Sequence, residues 1–229
     1  MKNIFKILKS KDVGSIGIGA MIVFIAMVLV AGIAASVLIQ TSTRLETQAM
    51  ATGQETTDEV ASGIAVFDVL GYAATGADIS KLAIGVRPRA GSDGIDLSEV
   101  YLEISDTSKK VIMNYTTEFY DEPTGLDDIF TGSSSVFPDD EWAYGHVNNT
   151  DGSRFGLLVI EDADNSMSST NPVMNRGDKV YICINSTGAF NTISERTEVW
   201  GMVVAEEGAP GMLSFKTPAS YTDNIIDLQ

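Results

Sequence analysis

The chain has 229 residues and a formal net charge of −16, with 15 basic against 31 acidic side chains. That balance excludes nucleic acid as the main partner, because phosphate binding needs a basic face. A single Cys, Cys183, rules out an intrachain disulfide, and a single His, His146, rules out a His-based metal site or relay.

The N-terminus holds Lys2, Lys6, Lys9 and Lys11, and no charge follows between Val13 and Arg44. Ile16–Ile39 is apolar all round and, at about 1.5 Å rise per residue, long enough to cross a bilayer core of about 30 Å. The lysines place the N-terminus on the cytoplasmic side. A secretory signal has a shorter apolar region, about 7–15 residues, that ends at a cleavage site. Here the run continues unbroken. A plain signal anchor is the other ordinary reading, and the junction Lys9-Ser-Lys-Asp-Val-Gly14 followed by Ser15-Ile-Gly-Ile-Gly-Ala20 argues against both.

That junction resembles a class III, prepilin-type signal, cut between a basic leader and an apolar helix that stays on the mature chain. Gly17-Ile-Gly-Ala-Met-Ile-Val-Phe-Ile-Ala-Met-Val-Leu-Val-Ala31 and Ile33-Ala-Ala-Ser-Val-Leu-Ile39 resemble the N-terminal helix of the archaellins, the archaeal flagellins. Phe215-Lys-Thr-Pro218 and Ile226-Asp-Leu-Gln229 resemble archaellin endings. Where bacterial type IV pilins carry a Glu, this chain has Gly19. The resemblance implies cleavage between Gly14 and Ser15 by a prepilin-type peptidase. It also implies a transient membrane stage and an extracellular filament whose core contains Ile22, Phe24, Ile25, Val28 and Leu29. The expected partners are further copies of the chain and paralogous archaellins; no cofactor or catalytic residue is implied. An adhesive pilin using the same export route is the alternative, and a membrane-anchored extracellular binding domain is a more distant one.

Beyond Ile39, Leu45, Ala49, Thr52, Thr56, Val60, Ile64 and Phe67 recur at helical spacing. They extend the helix to about Tyr72, giving a leader at 1–14, a core helix at 15–72 and an outer domain at 77–229. Segments rich in β-branched and aromatic residues follow: Leu82–Arg87, Val100–Ile104, Val111–Tyr115, Phe155–Ile160, Val180–Ile184, Val199–Ala205 and Met212–Lys216. Gly- and Asp-rich turns separate them. The fold class is therefore α+β, a long apolar helix followed by an all-β antiparallel sandwich, Ig-like.

Candidate chemistry is sparse. His146 reads as a surface-loop residue, since Ser133–Ser135 and Asp139 lie near it only at chance spacing. Cys183, mid-strand among apolar residues, reads as a small buried hydrophobe. Asp127-Asp128, Asp139-Asp140-Glu141 and Glu161-Asp-Ala-Asp164 can offer oxygens to Ca²⁺, but none follows a calcium-loop spacing, so a solvated acidic surface is expected and no metal is assigned. Asn114, Asn148 and Asn185 each open an Asn-x-Ser/Thr sequon and are candidate N-glycosylation sites in an exported chain.

Overall fold

The computed structural model describes residues 11–74, 76–122, 129–130, 136–137 and 152–229, with side chains from Ile16 onward. The leader lysines before Lys11, His146, Ser133–Ser135, Asp127-Asp128, Asp139–Glu141 and Asn148 lie outside the described residues. The chain divides into two compact units, Met1–Glu55 and Thr56–Gln229.

The described part of the first unit is helical throughout, and the same helix runs on into the second. Helix α1 spans Lys11–Ala61, 51 residues, or about 76 Å at the helical rise. Thr41, Thr43 and Thr47 each donate their hydroxyl to a backbone carbonyl one turn back, Thr41 to Leu38 and Thr43 to Ile39. Threonine is a modest helix former, but these internal bonds leave its hydroxyl satisfied without water.

The expected helix over 62–72 is not formed. The helix stops at Ala61, and Ile64–Ala73 is strand β1. Gly63 sits at φ 154°, and a Cβ there would lie 2.5 Å from the Ala209 carbonyl oxygen. At Gly208, with φ 89°, a Cβ would lie 2.3 Å from the Ser62 carbonyl oxygen. Two glycines let two backbones touch. The Ala209 amide donates to Ser62 O, and the Ile64 amide donates to Ala209 O. Val66, Phe67 and Val69 then suit a pleated surface as well as they suit a helix face. Local periodicity could not see the turn near residue 209.

The second unit is a curled sheet. Its strands after β1 are β2 (Ile79–Pro88), β4 (Tyr101–Ser105), β5 (Lys110–Asp121), β6 (Arg154–Glu161), β8 (Lys179–Asn185), β9 (Glu198–Val204), β10 (Gly211–Lys216) and β11 (Ile225–Asp227). The order is β10-β9-β4-β5-β6-β8-β2-β1-β11, all neighbours antiparallel except β5 and β6. A two-residue pair, β3 (Ile95–Asp96) with β7 (Val173–Met174), lies apart, and a short helix α2 (Ser186–Phe190) follows β8. All seven expected strands are present. The sandwich takes the form of one sheet curled on itself rather than two separate sheets. Its ends meet where the Ser214 amide in β10 donates to the Gln229 side-chain oxygen and Gly63 bridges Ala209.

Curling encloses one apolar core, with Leu82, Ile84, Leu102, Ile104, Met113, Phe155, Leu157, Ile182 and Ile184 fully buried. The middle of the sheet is covered on both faces. Phe130, Val136 and Phe137 pack with Ala83, Leu158, Tyr181 and Cys183 on the far side of β2, β6 and β8. That is why β6 and β8 read as continuous apolar runs while β10 alternates strictly between buried and exposed. The split teaches which face of the sheet remains open: the outward one near β9 and β10.

Candidate functional site

No catalytic constellation forms among the described residues, and the feature that stands out is α1. Every described side chain from Ile16 to Thr57 is exposed within the single chain. Phe24 is 68% exposed, Leu29 62% and Leu38 69%. The later, one-sided stripe is equally bare, with Leu45 66% and Val60 79% exposed. A helix that is apolar all round is stable only in lipid or inside a bundle of other helices. An apolar surface of this length far exceeds what a soluble monomer leaves open. Gly17, Gly19 and Gly32 cost helix stability, about 1 kcal/mol each relative to Ala. Apart from the helix's own neighbouring backbone, none of the described residues comes within 4 Å of where their Cβ atoms would stand. Small residues of this kind let helix backbones approach closely. Ile22, Phe24, Ile25, Val28 and Leu29, the expected core residues, all lie in the exposed apolar stretch.

The archaeal-type flagellin family model matches residues 14–215. The chain belongs to that family. Flagellin B2 of Methanocaldococcus jannaschii is 42% identical over 228 residues, covering 99% of both chains. The crystal structure of archaeal flagellin FlaB1 from the same organism is 35% identical. It superposes with a TM-score of 0.61, covering 74% of this chain and 98% of that one. The archaeal flagellum of Methanospirillum hungatei strain JF1 shares the fold at 14% identity, with a TM-score of 0.58 and coverage of 92% and 98%. Flagellins of this family are structural filament proteins, so the chain is not an enzyme.

The remaining candidates separate on geometry. Gly14 and Ser15 lie within the helical backbone of α1, which runs through the expected cleavage junction. Cys183 is fully buried, and burial pushes its thiol far above the ordinary range, so it is an inert core residue. Asn185 is buried, and its side-chain oxygen accepts from the Thr187 and Gly188 amides at 3.0 and 3.4 Å, capping α2. Its sequon is therefore explained by a helix cap, and the neighbouring Ser186 is wholly buried. Asn114, by contrast, is exposed on β5, in register with Tyr101.

Of the acidic groups, Asp162 and Asp164 are joined by Asp178, which the sequence reading missed. One oxygen from each lies within 4.8 Å of the others. Asp178 is fourteen residues further along, so no local spacing betrays it. Its carboxylate is buried and accepts the Ala163 amide at 3.1 Å and the Asn175 amide at 2.8 Å. Asp162 accepts from the Ser166 and Met167 amides. The Ser166 and Asn175 side chains hold the Asp164 carboxyl below its ordinary 3.8. Three carboxylate oxygens so placed suit a hard divalent cation, yet each also has backbone or side-chain donors that order the loop without one.

Proposed function

We propose that the mature chain is a structural subunit of the archaellum filament, polymerising through α1 and serving swimming motility. The observation that carries this is the combination of membership in the archaeal flagellin family with an apolar helix whose described side chains from Ile16 to Thr57 are exposed. A helix–helix contact repeated head to tail without closing generates an open helical polymer. Ile22, Phe24, Ile25, Val28 and Leu29 form the dry core, and the curled β-unit forms the outer layer.

Export follows from the leader. The precursor sits in the membrane with its lysines on the cytoplasmic side. A prepilin-type peptidase cuts between Gly14 and Ser15. Removing the leader deletes four Lys and one Asp and leaves 11 basic and 30 acidic residues. Without its basic flank, α1 can pass from lipid into a bundle of like helices, where apolar packing replaces the acyl chains. Paralogous archaellins carrying a similar helix can join the same polymer. Of the two sequons among the described residues, Asn114 is the one placed to carry a glycan on the outer surface.

Processing is tested by Gly14→Val. The expected result is an uncut precursor that keeps residues 1–14, remains in the membrane fraction and yields cells without filaments. Normal filaments from that variant would refute the assignment of the leader.

A further inference from the structure

After residue 14 the chain has 11 basic side chains. Four of them, Arg87, Arg89, Arg176 and Lys179, line one cleft of about 450 Å³. Such concentration is unexpected on a surface that is otherwise acidic. Arg87 and Arg176 are exposed and make no ion pair among the described residues. Arg89 donates to the carbonyls of Ile64 and Pro210, and Lys179 pairs with Glu161 at 2.7 Å. Asp178 also lines the cleft, but it is buried and engaged by backbone amides. The mouth therefore presents Arg87 and Arg176 with no carboxylate among the described residues paired to them.

The cleft adjoins the point where the helix becomes β1. The Arg89 amide donates to the Gly63 carbonyl at 2.8 Å, and Ala65 forms part of the lining. Each copy must pass from helix to sheet at this point, so this end of each β-unit is the end that chain connectivity brings nearest to neighbouring helices in a bundle. The later half of α1 carries complementary charge. From Leu45 to Ala61 it contains Glu46, Glu55, Asp58 and Glu59 and no basic residue. Glu55 and Glu59 are four apart, so they share one helix face with Cβ atoms about 5–6 Å apart, and as like charges they weaken an isolated helix. That arrangement is relieved by a cation set across the pair, and guanidinium forks match carboxylates in geometry.

We propose that the Arg87–Arg176 cleft receives the Glu55–Glu59 face of α1 from a second copy of the chain. This rests on the filament reading above and adds the contact that sets how the outer unit of one subunit is held against the helix of the next. The apolar part of α1 supplies non-directional attraction, which tolerates sliding. Paired charges at one fixed place resist it, because misregister leaves the guanidinium and carboxylate groups without their partners.

The test is a charge swap in cells producing the full chain, with filaments counted by electron microscopy. Arg87→Glu with Arg176→Glu should lower filament number by at least about tenfold, and Glu55→Arg with Glu59→Arg should do the same. All four substitutions in one chain should restore filaments to near the wild-type number, because each copy then offers a reversed helix to a reversed cleft. The extracted variant proteins should melt within a few degrees of wild type, since these are surface positions. Unaffected filaments in either double variant would overturn the proposal. So would a quadruple variant no better than its parents. Wild-type cells without filaments would instead defeat the filament reading itself.

Discussion

Helix α1 and the curled β-unit answer the same physical problem in opposite ways. Both are rich in apolar residues. In the β-unit those residues are hidden by the chain's own folding: Phe155, Leu102 and Ile182 are fully buried. In α1 they are left bare, with Phe24 68% and Met27 70% exposed. Burial of apolar surface is worth about 25 cal/mol per Å² wherever it occurs. The β-unit obtains it at any concentration, whereas α1 obtains it only from lipid or from other copies. The difference separates a folding problem from an assembly problem within one chain, and it can be attacked from either side.

The largest effect is expected in the β core. Phe155→Ala removes a wholly buried ring from the centre of the sheet, at a cost of about 3–5 kcal/mol. Urea unfolding of residues 56–229 should show that loss as an earlier midpoint. An unchanged midpoint would mean that the enclosed core is not what holds this unit.

Phe24→Asp or Leu29→Asp attacks the other side. A charge at the middle of the apolar stretch costs at least about 2.5–3.5 kcal/mol in the membrane, and in a bundle the penalty recurs at every copy. Membrane insertion or polymerisation should fail, while the β-unit of the full-length variant, extracted in detergent, melts as it does in the wild-type chain. Swimming cells carrying either variant would show that α1 is not the filament core.

Asn185→Ala should destabilise the β-unit by about 1 kcal/mol through loss of the α2 cap and leave the intact mass of the secreted protein changed only by the substitution. Asn114→Gln should remove glycan mass and leave stability nearly unchanged. Mass spectrometry that finds a glycan on Asn185 would overturn the division made here between the two sequons.

The smallest effect is on pH. Hydrogen bonds from Ser166 and Asn175 depress the Asp164 carboxyl in the folded state. A depressed acid stabilises the fold above its ordinary value of 3.8, and that contribution disappears as pH falls through the lower folded value. Melting of the β-unit should therefore decline in acid, and Asp164→Asn should make that decline shallower. An identical acid profile for the two proteins would show that the loop does not depend on this carboxylate. Adding Ca²⁺ to the same unit offers a direct check on the three-carboxylate cluster, where a rise in melting temperature absent from Asp178→Asn would place the ion there.

The two regions also differ in how openly the sequence declares them. The absence of charge from Val13 to Thr43 declared the apolar part of α1, which is stable only in lipid or among other helices, and the spacing beyond Ile39 carried the helix past its observed end at Ala61 to about Tyr72. The seven expected strands were legible for a similar reason, since Tyr101-Leu-Glu-Ile104 and Val180-Tyr-Ile-Cys-Ile184 carry β-favouring side chains between clear turns. Where periodicity was ambiguous, tertiary contact decided. Residues 64–72 read as a continuation of the helix stripe, and the meeting of Gly63 with Gly208 and Ala209 makes 64–73 a strand instead. Asp178 joins Asp162 and Asp164, Asn185 becomes a cap rather than a surface sequon, and four scattered cations line one cleft, all through contacts between distant parts of the chain. Local patterns report what a segment can bury. Only the closed sheet determines which distant backbone or charge it meets.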